Sequence, residues 1–105
     1  MKVLPDALAT CVKNLAAAFP VEDIWLLERG DGGEWLFAAE KVLVVFVPEG
    51  EMADEREELA RDTVRASALT NTPEVHVLPL TALERVPRPL IAKLALTRGQ
   101  RVYCR

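Results

Sequence analysis

The stretch Lys41–Val47, with the sequence KVLVVFV, is the strongest indication of the fold in this chain. Successive side chains of a strand alternate between its two faces. Here both alternating sets are apolar: Val42, Val44 and Phe46 on one side, and Leu43, Val45 and Val47 on the other. Since a strand that is apolar on both faces is typical of a covered, central position in a sheet, we predict a core strand here.

The segments around this strand alternate between helical and extended patterns. We expect helices over 4–19, 51–69 and 90–98, and further strands over 21–28, 34–38, 74–78 and 101–104. The three glycines between residues 29 and 33 favour a hairpin turn. Thr81 and Glu84 have the spacing of a capping box for a short helical turn, and Gly99 suits a left-handed position after the last helix. This order predicts a single α/β (α+β) domain over 1–105, with a mixed sheet of four to five strands covered by helices.

The amino-acid composition limits the classes of protein to which the chain can belong. Of the 105 residues, 50% are hydrophobic and 28% are charged, which is typical of a globular domain in water. The net charge of −3 argues against a general nucleic-acid binder. We see no signal peptide pattern and no apolar run of the ~18 residues that a membrane span needs, so we expect a cytoplasmic protein that does not contact a membrane.

Charge is uneven along the chain. Residues 82–105 hold six basic residues and one acidic residue, whereas residues 1–81 hold seven basic and fifteen acidic residues. Such asymmetry marks either a partner surface or an anionic ligand site, or it reflects solvated faces next to an acidic segment. The carboxylates between residues 49 and 58 lack the spacing of a calcium loop, so we interpret them as a solvated helix face, with Glu57 and Arg61 as an i, i+4 pair.

Cysteine and histidine are too few for a closed zinc site, which needs about four ligands. The sequence has two cysteines and one histidine, Cys11, Cys104 and His76. We predict that both cysteines are small buried side chains without a disulfide, and that His76 is a strand histidine that makes a hydrogen bond.

Several catalytic motifs are missing from the sequence. We find neither a GxxxxGK[ST] loop nor a GxGxxG turn for phosphates, and Ser67, the single serine, is not in a GxSxG motif. A nuclease core would need Glu-x-Lys on a strand, but Ala39 stands where that glutamate would be, before Glu40 and Lys41.

One arrangement does resemble a known family. Residues 21–27 (VEDIWLL), the glycine turn after Arg29, the strand ending at Pro48-Glu49-Gly50, and the tail with Gly99, Val102 and Tyr103 resemble the minimal nucleotidyltransferases, small relatives of DNA polymerase beta in bacteria and archaea. The resemblance covers nearly the whole chain. It implies a helix, a strand with a Gly-Ser turn, a strand that begins Asp-x-Asp, a helix, a strand with a third carboxylate, and a final helix. In that family the carboxylates hold two Mg²⁺ ions and the turn approaches the nucleotide phosphates.

Most of these positions hold other residue types in this chain. The Gly-Ser pair falls on Glu28 and Arg29, and the three carboxylates fall on Glu40, Val42 and His76. Only Glu40 keeps a carboxylate. The resemblance therefore implies the fold, while its substituted positions argue against two-metal catalysis.

Three hypotheses follow. The first is a non-catalytic nucleotidyltransferase-like domain without a cofactor that binds a protein partner or a second copy; the resemblance implies a helical HEPN-type partner, with the chain as the antitoxin-like half of a toxin–antitoxin pair. The second is an active transferase or nucleotide binder with Mg²⁺ and ATP at a displaced site, for which Glu28, Asp31, Glu34 and Glu40 are the carboxylates in reach. The third is an unrelated small α/β domain.

Overall fold

The computed structural model describes residues 4–30, 35–67, 69 and 71–105. The chain forms α1 (Asp6–Ala18), β1 (Asp23–Glu28), β2 (Lys41–Val47), α2 (Ala53–Ala66), β3 (Glu74–Pro79), a short 3-10 helix η1 (Leu80–Glu84), α3 (Leu90–Arg98) and β4 (Gln100–Cys104). The predicted α+β class with a mixed sheet is confirmed, and four strands pair in the described residues.

The sheet has the strand order β3-β2-β1-β4. Strand β1 pairs antiparallel with both β2 and β4, whereas β2 and β3 run parallel. The parallel pair is joined through α2, because parallel neighbours need a crossover connection. The predicted central position of β2 is confirmed, since residues 42–47 are all fully buried.

One side of the sheet is covered by α1 and α2, and we call it the two-helix face. The buried residues of α1 recur at helical spacing: Leu8, Cys11, Val12 and Leu15. They pack with Ala60 and Val64 of α2 and with one alternating set from the sheet, Ile24, Leu26, Leu43, Val45, Val47, Val75 and Val77. Every side chain in these two groups is at most 5% exposed, so this face is a closed aliphatic core.

The other side is covered by α3, η1 and the segment 35–40, and we call it the one-helix face. Its buried centre comprises Leu27, Val42, Val44, Phe46, Ala92 and Ala95. The small side chains of Ala92 and Ala95 let α3 approach the sheet closely. Around this centre lie partly buried side chains: Trp25, Trp35, Phe37, Leu78, Leu80, Leu83, Ile91 and Leu94.

The predicted strand over 34–38 is wrong for its described residues. Residue 34 lies outside the described part, and residues 35–40 form bends and irregular chain. The Trp35 indole N–H donates to the Ala39 carbonyl at 2.7 Å and closes a local loop. Both edges of β1 are already paired, with β2 and β4, so no edge of β1 is left for an extra hairpin strand.

The predicted ends of the helices also need correction. The helix predicted over 4–19 begins only after Pro5, and the helix predicted over 51–69 is shorter, at Ala53–Ala66. Thr81 lies inside η1, whose N-cap is Pro79 without a side-chain cap bond, so the capping box with Glu84 is wrong.

Gly99 does not adopt the left-handed conformation that the sequence suggested. Its φ is −85°, because the chain passes directly from α3 into the extended β4. A glycine is nevertheless needed there, since a Cβ would lie 2.4 Å from the carbonyl oxygen of Ala95. Among the described glycines, Gly50 is left-handed, with φ +96°, in the turn after β2.

The two cysteines are in different environments, and both thiols are free. Cys11 is fully buried on the inner side of α1, as predicted, but the prediction was wrong for Cys104, which is exposed on β4. Burial raises the pKa of the Cys11 thiol, and a hydrogen bond with the Ser67 side chain offsets part of that rise. The thiol of Cys11 therefore stays protonated near neutral pH and is a poor nucleophile.

Candidate functional site

Three of the five positions that the resemblance singles out meet at one end of the sheet. Glu28 ends β1 opposite Lys41, the first residue of β2. The backbone N–H of Arg29 donates to the carbonyl of Glu40 at 2.9 Å, which extends the β1–β2 ladder by one bond. Glu28, Arg29 and Glu40 are therefore close along the backbone, and we call this region the strand end.

The side chains at the strand end do not all share one face. Strand alternation places Leu27 and Val42 on the one-helix face, where both are buried. Glu28 and its partner Lys41 therefore lie on the opposite, two-helix side. A single pocket that uses both Glu28 and position 42 is excluded by this alternation.

Val42 is part of the core. Its side chain is fully buried and packs in the cluster that contains Leu27, Val44 and Ala92. A divalent cation such as Mg²⁺ needs oxygen ligands. Val42 offers no such ligand, and the cluster in which it packs consists of apolar side chains.

His76 makes the hydrogen bond that the sequence predicted, and its partner is Glu74. The Nε2 atom of His76 lies 2.7 Å from Oε2 of Glu74. The Nδ1 atom lies 3.6 Å from Oε1 of Glu57, so both ring nitrogens face carboxylates. The ring of Phe37 lies on the same side, with its centroid 6.0 Å from that of His76. The imidazole is thus held in place by three neighbours.

Glu74 is a carboxylate that the position-by-position comparison missed. It lies two residues before His76 on β3, and therefore on the same face, and it pairs with Val42 in the parallel ladder. In the sequence, the two-residue spacing of Glu74 and His76 within a predicted strand could have indicated a carboxylate beside the histidine. Both carboxylate oxygens are in use, since Oε1 accepts the N–H of Ala38 at 3.3 Å and Oε2 contacts His76. Glu74 thus fastens the segment 35–40 to β3.

Glu57 was expected only as one half of a helix-surface pair, and it does more than that. The predicted pair is confirmed, with Arg61 Nη2 3.1 Å from Glu57 Oε2. In addition, Glu57 Oε1 accepts the backbone N–H of Val77 at 3.1 Å. Strand β3 lies at the edge of the sheet, so this bond satisfies a donor that has no neighbouring strand.

The described residues hold no cluster of three or more histidine, cysteine, aspartate or glutamate side chains arranged for a metal ion. Asp31 and Glu34, two carboxylates of the displaced-site hypothesis, lie outside the described residues. No helix in the described part of the chain is long and apolar enough to cross a membrane.

An open groove of about 400 Å³ runs between α1 and β4. Leu4, Val12, Val102 and Tyr103 supply apolar walls, and two side chains of opposite charge, Asp6 and Lys13, also line it. The groove is broad and shallow, and no set of charged side chains converges in it.

The fold and the site define a small α+β domain with a four-stranded mixed sheet and a packed, aromatic-lined surface beside β2 and β3. No family model, curated protein or solved structure matches this chain.

Proposed function

We propose that this chain is a nucleotidyltransferase-like domain that does not transfer nucleotides and acts as a protein-interaction module. The order of elements supports the proposal. An N-terminal helix, two strands, a helix, a third strand and a final helix follow one another as the resemblance implies, and β4 holds the tail residues Val102 and Tyr103.

The packing around positions 42 and 76 is the observation that carries the non-catalytic part of the proposal. These are the places where the resemblance expects metal-binding carboxylates. Val42 is fully buried among aliphatic side chains, and His76 is held by Glu74, Glu57 and Phe37. Glu74 is the carboxylate nearest in register to Val42, but its oxygens bind His76 and Ala38. Two Mg²⁺ ions would have to displace these contacts and would still lack a ligand at position 42.

Exposed apolar side chains support the interaction part of the proposal. They belong to Leu36, Met52, Leu59, Val86, Leu90 and Leu96. Burial of such side chains against a partner would stabilise a complex, so these are the positions at which a partner would contact the chain. A helical HEPN-type protein, with this chain as the antitoxin-like half of the pair, is the partner class that the resemblance suggests.

Titration calorimetry tests the non-catalytic part directly. ATP and GTP are titrated into the full chain with Mg²⁺, and again with EDTA in place of Mg²⁺. We expect no magnesium-dependent heat. Heat at micromolar affinity that disappears with EDTA would contradict the proposal and favour a displaced metal site.

A matched pair of variants would then locate such a site. Glu40→Ala removes the one retained motif carboxylate, and Glu49→Ala removes an exposed carboxylate after the other end of β2. Loss of nucleotide binding in Glu40→Ala alone would place the site at the strand end. Equal nucleotide binding by both variants would show that Glu40 is not part of the nucleotide site.

A further inference from the structure

Helix α2 carries an exposed stripe of alternating apolar and acidic residues. Met52 is the N-cap of α2, and Glu55, Leu59 and Asp62 follow it at spacings of three and four, so the four residues lie along one side of the helix. Met52 is 61% exposed and Leu59 is 38% exposed. Glu58 is a further exposed carboxylate next to Leu59. We call these five residues the acidic stripe.

The chain after η1 carries a surface of the opposite charge. Arg85, Val86, Arg88, Leu90 and Lys93 are all exposed, and we call them the basic surface. Val86 is 97% exposed and Leu90 is 57% exposed, although both are apolar. The Nε–H of Arg88 donates to the Leu83 carbonyl at 2.7 Å, which holds this loop against η1.

The two surfaces belong to opposite sides of the molecule. Helix α2 packs on the two-helix face through Ala60 and Val64, whereas α3 packs on the one-helix face through Ala92 and Ala95. The sheet lies between them, so the acidic stripe of one molecule cannot reach its own basic surface. Each surface nevertheless combines two apolar side chains with an excess of one charge. The acidic stripe has three carboxylates, of which Asp62 pairs with Arg65 of its own helix at 3.5 Å, and the basic surface has three cations beside the exposed Glu84.

From this complementarity we infer that the chain associates head to tail with further copies of itself, the acidic stripe of one copy on the basic surface of the next. The inference rests on the proposed function, because it names a second copy as a partner of the interaction module. Met52 and Leu59 bury against Val86 and Leu90, and the surrounding carboxylates face Arg85 and Lys93. Because two different surfaces meet, the assembly is heterologous and grows until it closes into a ring or continues as a filament.

Sedimentation velocity of the full chain tests the inference, with the average mass followed against protein concentration and salt. We expect the average mass to rise with concentration, and to fall when salt screens the charges. Lys93→Glu and Glu55→Lys each reverse one charge on one surface. We expect each variant to weaken association about tenfold, because like charges then face each other across the contact. Lys13→Glu, an exposed reversal on α1, is the matched control and should associate as the unchanged chain does.

Mixing the two variants makes the test specific for head-to-tail pairing. Lys93→Glu keeps its acidic stripe and Glu55→Lys keeps its basic surface, so an equal mixture should associate more strongly than either variant does alone at the same total concentration. A mixture no heavier than its components would overturn the inference, as would weakening by only one of the two variants or an equal effect of Lys13→Glu.

The sedimentation test of head-to-tail association and the calorimetric test of the proposed function can fail independently of each other. A chain that stays monomeric at every concentration overturns the head-to-tail inference, and leaves the calorimetric test of the non-catalytic domain unaffected. Magnesium-dependent nucleotide binding overturns the proposed function whatever the sedimentation shows. All three substitutions are at exposed positions, so circular dichroism should show unchanged helix content in each variant.

Discussion

The two faces of the sheet are built differently. The two-helix face has a 13-residue and a 14-residue helix over it, and its core is aliphatic and closed. The one-helix face has the 9-residue α3, and the rest of its cover comes from η1 and the irregular segment 35–40. Its outer layer holds both tryptophans, only partly buried. Regular helices thus close one side, whereas loops and aromatic rings close the other.

The two faces also differ in the polar atoms that their buried layers contain. On the two-helix face each buried position is an aliphatic side chain or the thiol of Cys11, apart from Phe19 at the end of α1. On the one-helix face Glu74, His76 and the Trp25 indole have polar atoms beside apolar neighbours. The same face holds positions 42 and 76, where the resemblance to the nucleotidyltransferases expects metal ligands. Substitutions on the two faces should therefore have different effects.

The largest effect is expected from Val42→Asp, which introduces a carboxylate at a position where the nucleotidyltransferases that the chain resembles have one. The new side chain would be buried among Leu27, Val44 and Ala92 without a cationic partner. An unpaired buried charge costs about 3–5 kcal/mol, a large part of the stability of a small domain. Urea unfolding of Val42→Asp and of the unchanged chain measures this loss.

Val42→Asn is the matched control, because it has nearly the same shape without the charge. Burial raises the pKa of an introduced carboxyl above its unfolded value of about 3.9. The deficit of Val42→Asp relative to Val42→Asn should therefore be full at neutral pH and shrink as the pH falls toward that value. A stable Val42→Asp chain that gains Mg²⁺-dependent ATP binding would contradict the packed-core interpretation.

The next largest loss of stability is expected in the closed core, and it can be compared with the loss in the partly exposed layer of the one-helix face. Leu15→Ala removes a fully buried side chain from the two-helix face and should cost about 2–5 kcal/mol. Leu94→Ala makes the same chemical change on α3, where the side chain is partly exposed, and should cost about 1 kcal/mol. Chemical denaturation of both variants gives the two values. Equal losses would show that the one-helix face is packed as tightly as the other.

Much of this difference could be predicted from the sequence, because strand alternation determines it. The alternation in β2 correctly predicted a strand buried on both faces. The same rule applies to β3, where Val75 and Val77 belong to the core of the two-helix face and Leu78 to that of the one-helix face. The strand predicted over 34–38 is wrong for its described residues, 35–38, because the prediction rested on their apolar and aromatic composition. Local composition does not show that both edges of β1 are occupied by β2 and β4.

The contacts of the candidate site were harder to foresee. Glu57 and Val77 are 20 residues apart, and their bond depends on the crossover that lays α2 against β3. The bond between Ala38 and Glu74 likewise joins segments 36 residues apart. A pattern read along one segment predicts the face on which a residue lies, but not the side chain that it meets from another segment.

A smaller effect is expected at the edge of the sheet. Glu57→Ala removes the acceptor of the Val77 N–H and the ion pair with Arg61. The Val77 donor would then lack its acceptor beside a partly buried strand, which should cost about 1–2 kcal/mol. Glu58→Ala removes a neighbouring exposed carboxylate and should change stability by less than about 0.5 kcal/mol. Thermal unfolding of the two variants measures the difference, and equal midpoints would show that Glu57 does not stabilise the edge.

The smallest effect is expected where the one-helix face has an unpaired donor. The indole N–H of Trp25 is buried without an acceptor in the described chain, whereas that of Trp35 donates to Ala39 at 2.7 Å. Trp25→Phe gives up some apolar contact but also removes the unpaired donor, so the two terms offset and stability should stay within about 0.5 kcal/mol of the unchanged chain. Trp35→Phe loses a satisfied bond and should cost about 1–2 kcal/mol. If Trp25→Phe proves as damaging as Trp35→Phe, the indole N–H of Trp25 has an acceptor in solution, and the explanation by an unpaired donor is wrong.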